Sequence, residues 1–415
     1  MNLTASTTNA PAGEATVSPW ITLLLATACG LIAANIYYAQ PLAGLIGAAL
    51  GLPPSAAGLI VTLTQVGYGA GLLLITPLGD LFENRKLVLV LIGLATLALL
   101  GAGLASHPAQ FLIAALFIGL GSVAVQVLVP YASHMAPEAV RGRMVGNVMS
   151  GLMLGIMLAR PASSFITQIS SWHAVFFLSA GLMVLLALLL RRALPQRVPQ
   201  AKLPYGALLA SMWQLVLRTP VLRRRALYHA FLFAAFSLFW TTTPLLLAGP
   251  AFHLSQGGIA LFALAGVAGA IAAPIAGRVA DHGWSRPATG LAMLAVAVAF
   301  LMTHIGHQGS ELSLGLLVAA AILLDFGVAA NMTIGQRAIF MHGAEFRARL
   351  NGLYMTTFFA GGAIGSAVGG WAYAQGGWEL TSRVGFALPV LALFYYATEF
   401  RSRGTRELEA AAGNS

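Results

Sequence analysis

The reading begins with Thr76-Pro77-Leu78-Gly79-Asp80-Leu81-Phe82-Glu83-Asn84-Arg85-Lys86 and its counterpart Gly277-Arg278-Val279-Ala280-Asp281-His282-Gly283-Trp284-Ser285-Arg286. Asp and Arg recur at the same internal spacing, 201 positions apart. Two further landmarks repeat at nearly the same offset. Arg141-Gly142-Arg143-Met144-Val145-Gly146 returns as Arg347-Ala348-Arg349-Leu350-Asn351-Gly352, 206 positions on, and Gln40-Pro41-Leu42 returns as Thr243-Pro244-Leu245, 203 positions on. Near-constant offsets across three landmarks indicate a duplicated unit, and repeats of this kind set the architecture.

What separates the landmarks is apolar chain. The 415 residues are 58% hydrophobic and 8% charged, with a mean hydropathy of +0.83. A soluble domain carries roughly 25% charged residues, so this chain cannot cover its own surface in water, and disorder is excluded for the same reason. A bilayer asks for the opposite surface. Windows of roughly 20 apolar residues give six spans in each half. The first six are Trp20 to Leu42, Ser55 to Leu78, Leu87 to Ala105, Ala109 to Met135, Met144 to Ile169 and Trp172 to Leu190. The second six are Leu227 to Ala248, Gln256 to Val279, Pro287 to Ile305, Leu312 to Phe340, Leu350 to Tyr373 and Arg383 to Phe400. The expected fold is an all-α membrane protein of twelve transmembrane helices in two pseudo-symmetric six-helix bundles around a central cavity. Residues 1–190 form the first bundle, 191–225 a linker, and 226–415 the second bundle with a short tail.

Arg and Lys alternate sides. Arg85 and Lys86 follow span 2, Arg141 and Arg143 span 4, Arg278 and Arg286 span 8, Arg347 and Arg349 span 10, and Arg401, Arg403 and Arg406 the last span. The linker adds eight Lys or Arg and no acid. The positive-inside rule makes this face cytoplasmic, with both termini inside. The net charge of +10 then reflects topology and contact with anionic lipid head groups rather than nucleic acid. The apolar run from Trp20 is too long for a signal-peptide core and reads as an uncleaved first span; a multi-pass protein of a bacterial inner membrane, monomeric, is expected. Pro195, Pro199 and Pro204 interrupt the linker, and Tyr205 to Leu217 is apolar enough for a short interfacial helix or a plain loop.

Two six-helix halves, a long basic central loop and Asp-x4-Arg after spans 2 and 8 resemble the major facilitator superfamily across essentially the whole chain. The family's loop motif runs Gly-x3-Asp-Arg-x-Gly-Arg-Arg; the first copy here keeps Asp80, Arg85 and Lys86 but has Thr76, Leu81 and Glu83 where the family favours Gly, Arg and Gly. The second keeps Gly277, Asp281 and Arg286. Gly151-x3-Gly155-x3-Ala159-Arg160-Pro161 on span 5 is similar to the antiporter signature of drug-exporting members, with Arg160 where that signature has Gly. The resemblance implies a secondary transporter working by alternating access, with spans 1, 4, 7 and 10 along the cavity.

Asp325 is the acid that falls near the middle of a span; the other eleven of the twelve lie in loops, tails or span ends. Keeping a lone carboxylate charged in a bilayer costs a few kcal/mol or more, so Asp325 is a candidate site for loading and releasing a proton; the alternative is a structural Asp bonded to neighbours. Arg160 is the deep cation. It does not usefully lose its proton, so it binds an anionic substrate, serves as counter-ion to Asp325, or bridges carbonyls at the Pro161 kink. The neutral polar residues Asn35, Tyr38, Gln40, Gln65, Tyr68, Gln126, Trp240, Thr241, Asn331 and Gln336 are substrate-binding candidates, each with the alternative of gluing helices together. Asp80, Arg85, Arg141, Arg143, Asp281, Arg286, Arg347 and Arg349 read as gates between the halves, or as charges that only set topology. Arg337 snorkels or gates.

Enzyme chemistry finds no His/Cys metal spacing, phosphate loop or Ser/His/Asp grouping, and no cofactor is expected. A channel needs a repeated polar ring, whereas Asp325 aligns with Gly119 at the repeat offset. The expected function is proton-coupled efflux of small lipophilic or amphipathic molecules by antiport; the alternative is proton-linked movement of a sugar or small organic anion through Arg160.

Overall fold

The computed structural model describes residues 18–199, 203–343 and 346–412. The side chains of the basic tail residues Arg401, Arg403 and Arg406, and residues 1–17 ahead of span 1, lie outside the description. Helices α1 (Pro19–Ala34) and α2 (Ala43–Leu50) make the first span. The continuous helix expected from Trp20 to Leu42 is interrupted over 35–42, where short-range bonds such as Gln40 N to Tyr37 O at 3.2 Å replace the α pattern. Pro41 explains the break, since it has no N–H to continue the ladder. The second span is α3 (Leu59–Leu74) flanked by 3₁₀ turns Pro54–Ala56 and Thr76–Asp80.

The first half continues with α4 (Asn84–Gly103), α5 (Pro108–Ser122) and α6 (Ala124–Met135) as one broken fourth span, α7 (Glu138–Ile169) and α8 (Trp172–Ala193). The linker carries α9 (Tyr205–Arg218). Then come α10 (Pro220–Ala248), the eighth span as α11 (Gln256–Ala263), a 3₁₀ segment Leu264–Ala268 and α12 (Gly269–Asp281), followed by α13 (Ser285–Met302) and α14 (Glu311–Phe340). The last two spans are joined in α15 (Arg347–Ala412), broken at Gly376 and Gly377, whose φ of 57° and ψ of −150° no L side chain adopts easily. Among the described residues, ten helices are long and apolar enough to cross a membrane by length and composition, and one of these runs Arg347–Glu399. That helix accounts for two spans and α1 with α2 for another, which makes twelve in two bundles of six. Apolar side chains such as Val90, Leu97, Leu104 and Phe394 project outward, the surface that lipid covers.

The duplication is visible in packing. α7 lies on α1 as α15 lies on α10, and α5 on α3 as α14 on α12. In each of the first two contacts small residues let backbones touch: a Cβ at Gly155 would fall 2.1 Å from the Gly30 carbonyl oxygen, and one at Gly365 2.1 Å from the Ala234 carbonyl oxygen. Close approach of this kind is how helices associate where no hydrophobic force separates lipid from leucine.

Across the halves, α3 packs on α15 and α7 on α11. Direct hydrogen bonds between halves, among the described residues, gather toward the end opposite the basic loops. Thr62 Oγ1 is 3.0 Å from the Ala363 carbonyl and 2.8 Å from Ser366 Oγ, Gln65 Nε2 donates to Ser237 Oγ at 2.9 Å, and Gly257 N donates to Gln168 Oε1 at 2.9 Å. At the basic end the connection runs through α9. Tyr205 donates to the Leu74 carbonyl at 2.7 Å, Arg349 donates to Ser211 Oγ at 2.9 Å, and Met212 packs with Leu222, Ile339, Leu350 and Tyr354. Helix α9 of the linker is thus seated on both halves, and α10 starts at Pro220, ahead of the Leu227 expected for span 7.

Candidate functional site

Asp325 stands at the middle of the 30-residue α14 and is 6% exposed. Its Oδ1 accepts a hydrogen bond from Trp240 Nε1 at 2.8 Å. Arg160, on α7 and 3% exposed, comes to the same indole from the other half, its guanidinium carbon 4.5 Å from the Trp240 ring centroid, 4.9 Å from Phe236 and 5.3 Å from Tyr37. Arg160 Nε donates to Gln40 Oε1 at 2.8 Å. The break before Pro41 is what turns Gln40 and Tyr37 toward α7.

Three of these groups surround one missing side chain. A Cβ at Gly266 would lie 2.9 Å from Asp325 Oδ2, 3.2 Å from Trp240 Cζ2 and 3.4 Å from Arg160 Nη1. Gly266 sits in the 3₁₀ segment of the eighth span, and a 3₁₀ stretch inside a helix marks local strain or a hinge. Gly269 also faces Asp325, with a Cβ there 3.2 Å from Asp325 Cβ. In the first half the equivalent contact is reversed. Gly119, at the repeat position of Asp325, meets α3, where a Cβ on it would fall 2.0 Å from the Thr64 carbonyl oxygen. The second copy has put a carboxylate where the first has no side chain, and glycines on the facing span make the room.

Arg160 and Asp325 do not form an ion pair: among the described residues the salt bridges within 4.0 Å are Arg337 with Asp281 and Arg383 with Glu379. Arg160 Nη2 and Gln40 Nε2 are buried without hydrogen-bond partners, as are the Oγ atoms of Ser164, Thr241 and Thr243. Ser164 is one turn along α7 from Arg160, and Thr243 is one turn along α10 from Trp240, so both hydroxyls continue the faces that meet at the indole. An unpartnered buried donor on a cation is costly and calls for an explanation. The surplus here is of donors beside a positive charge.

The other candidates go to several places. Asn35 accepts from Ser179 Oγ at 2.6 Å and donates to Met183 Sδ at 3.5 Å, which ties α1 to α8. Tyr38 is buried in the 35–42 turn and Thr241 lies beside Trp240 on α10. Gln65 bonds Ser237 across the halves, and Gln126 donates to the Tyr68 hydroxyl at 3.0 Å while Tyr68 packs on Phe359, ring centroids 4.5 Å apart. Asn331 donates to His229 Nδ1 at 3.1 Å, and Gln336 donates to Asn351 at 3.0 Å. Tyr37, Phe236 and Gly266 are members of the Arg160–Asp325 cluster that the sequence reading did not name. Spacing offered one signal for Phe236: it is four residues before Trp240.

The charged loop residues are largely engaged within their own half. Arg85 donates to the Leu194 carbonyl at 3.0 Å, Asp281 pairs with Arg337, the Arg286 carbonyl accepts from Tyr396 at 2.8 Å and Arg347 donates to the Phe340 carbonyl at 3.3 Å. Arg349 reaches α9, and Asp80, Arg141 and Arg143 are exposed. The third span is capped by Glu83, whose carboxylate accepts from Arg85 N at 2.8 Å and Lys86 N at 3.0 Å; Glu83 is the residue immediately before the helix and so has the reach.

The chain is similar over nearly its full length to the uncharacterized transporter YgaY of Escherichia coli O157:H7, 38% identical over 395 residues, covering 95% of this chain and 98% of that one. It is 34% identical to the Streptomyces coelicolor transporter SCO4007 over 356 residues, 86% of this chain and 82% of the relative. Among solved structures it shares its fold with the nucleoside transporter NupG, at a TM-score of 0.72 and 15% identity over 92% of this chain and 99% of that one. It shares it also with a bacterial homolog of the human lysosomal transporter Spinster, at 0.71 and 15% over 92% and 97%. The family model described as Major Facilitator Superfamily matches residues 23–312 and 260–413. With the twelve spans, the duplicated halves and these matches, the chain belongs to the major facilitator superfamily: it is a multi-pass membrane transporter, not an enzyme.

Proposed function

We propose that this transporter is proton-coupled, with Asp325 as the proton site, and that it moves a small organic anion whose charged group is held by Arg160. The observation that carries this reading is the buried guanidinium with Nη2 unpartnered and, among the described residues, no carboxylate within ion-pair distance. A cation kept in that condition is stable when something anionic completes it, because an uncompensated charge in low dielectric costs several kcal/mol. Asp325 belongs to the opposite half and shares Trp240 with Arg160, so occupancy of one is felt by the other. The polar residues Gln40, Thr241, Thr243 and Ser164 supply the remaining hydrogen bonds, and Tyr37, Phe236 and Trp240 supply an apolar wall.

The gates are part of the same reading. Asp80, Arg85, Arg141, Arg143, Asp281, Arg286, Arg347 and Arg349 lie at the basic end, where the halves separate and rejoin in alternating access. The basic face is cytoplasmic, both termini are inside, and the bacterial inner membrane is the site of action.

A second reading is drug-like efflux by antiport, favoured by the aromatic wall and by the glycine and proline spacing of α7 around Gly151, Gly155 and Pro161. The two separate in proteoliposomes under an imposed proton gradient. Accumulation of 4-hydroxybenzoate that is lost in Arg160→Gln supports the anion reading. Transport of tetraphenylphosphonium, with none of 4-hydroxybenzoate, phenylacetate or phenylpyruvate, supports efflux and rejects it.

A further inference from the structure

We infer that the substrate is a monocarboxylate with an aromatic or apolar body and that it loads together with one proton, so that the transporter is an electroneutral one-to-one symporter. This rests on the assignment of Arg160 and Asp325 above and goes past it to ligand class and coupling rule.

The argument is one of charge at a single depth. The charged side chains that meet at Trp240 are Arg160 and Asp325, one of each sign. Arg160 comes from α7, Asp325 from α14, the indole from α10, and the eighth span contributes Gly266 and Gly269 and no charge. Tyr37, from the turn after α1, is the titratable neighbour of both. Empty and with Asp325 ionised, the cluster is neutral. A carboxylate placed on Arg160 Nη2 would then stand beside Asp325 with the same sign and leave the site one negative charge in excess. Protonation of Asp325 alone leaves it one positive charge in excess. Only when proton and monoanion are both present is the cluster neutral again. A net charge at this depth is opposed by the membrane in either half-loaded state, so the two neutral states are the ones that reorient with ease, and coupling follows.

The same count selects the ligand. A dianion would add a second negative charge to a site with one cation. A lipophilic cation would meet Arg160 unopposed once Asp325 is protonated. The donors left over, Arg160 Nη2 and Gln40 Nε2, come from two residues already joined through Arg160 Nε and Gln40 Oε1, which gives a carboxylate two N–H partners from neighbouring side chains. Phe236, Trp240 and Tyr37 already flank the guanidinium, and their faces match an apolar, aromatic body in chemistry.

The test uses the full-length protein in detergent, with 4-hydroxybenzoate, phenylacetate and phenylpyruvate as probes. Binding is followed by thermal shift, and proton exchange by a pH indicator in lightly buffered solution at a pH where each probe is ionised. The expected result is binding of at least one probe with uptake of one proton per ligand. Asp325→Asn, a neutral isostere that still accepts from Trp240, is expected to bind the probe with no proton uptake. Arg160→Gln and Arg160→Lys are both expected to weaken binding, the Lys variant guarding against simple loss of fold because it keeps the charge. Binding without proton uptake in the unaltered protein overturns the coupling rule and leaves Arg160 as the anion site. Binding unaffected by either Arg160 variant, or no binding of any probe, overturns the ligand class and with it the reading of the site. Binding of a dianion such as phthalate as tightly as of the monoanions overturns the charge count alone.

Discussion

Arg160 and Asp325 contact one indole from two directions, the guanidinium on the face of Trp240 at 4.5 Å and the carboxylate on its Nε1 at 2.8 Å, without pairing with each other. At an effective dielectric near 20, unit charges more than 4 Å apart attract by less than about 4 kcal/mol. Removing each from water costs several kcal/mol. The attraction therefore does not repay both burials, and the hydrogen bonds to Gln40 and Trp240 and the aromatic faces make up part of the difference. A site left in partial deficit is one that a ligand and a proton can complete.

Asp325→Asn is expected to abolish gradient-driven accumulation while preserving exchange of substrate across the membrane. The amide keeps the Trp240 bond and the shape of the site but cannot cycle a proton. Proteoliposome counterflow measured beside gradient-driven uptake separates the two. Loss of both to the same extent would show Asp325 to be structural.

Trp240→Phe removes the donor to Asp325 and retains an aromatic face for Arg160. A buried acceptor deprived of its partner costs about 1–3 kcal/mol, so a lower unfolding temperature in detergent is expected, with a further loss of transport beyond that of Phe236→Leu, which leaves the hydrogen bond intact. Equal effects of the two variants would mean that the Nε1 bond contributes little.

Gly266→Ala places a methyl 2.9 Å from Asp325 Oδ2. Overpacking of this kind typically costs about 1–3 kcal/mol, and here it falls on the coupling pair. Substrate affinity and turnover are both expected to drop. Gly277→Ala, where a Cβ meets nothing within 4 Å, is the matched control and should transport normally.

Thr62→Val combined with Ser366→Ala removes the polar contact between α3 and α15 without touching Arg160 or Asp325. Each hydrogen bond contributes about 0.5–1.5 kcal/mol, enough to move a conformational equilibrium by a factor of roughly 2 to 10. Spin labels placed on the two halves at the end opposite the basic loops should report a longer mean distance in the double variant. An unchanged distance distribution would assign the seam no part in the balance between states.

Asp281→Asn separates gating from stability. The Arg337 pair is well exposed, at 45% and 63% of the side chains, and surface pairs of this kind are worth about 0–1 kcal/mol. The unfolding temperature is expected to stay within a degree or two. A change in spin-label distances across the basic end, with stability intact, would support the gate; no change would leave Asp281 with a topological role.

Much of this molecule is legible in its sequence because the membrane imposes it. Span length, alternation of Arg and Lys, and the offsets joining Asp80 to Asp281 need no tertiary information, and Asp325 announces itself by being charged where charge is expensive. The neutral polar residues are different. Asn35 and Gln40 are five positions apart on one span, yet Asn35 joins Ser179 on α8 and Gln40 meets Arg160 on α7. Helical periodicity says which residues share a face, and it does not say what that face meets. The turn at 35–42 breaks even that periodicity, and the value of Gly266 rests on which groups close in on its backbone, which its residue type does not disclose.

The linker helix, finally, makes the molecule its own strain gauge. α9 is fastened to the Leu74 carbonyl on one side and to Arg349 on the other, so a rotation of one bundle against its twin must stretch, tilt or detach it. Trp213, 64% exposed on that helix, is an indole already mounted on the gauge, and its emission offers a readout of the working stroke that requires no label.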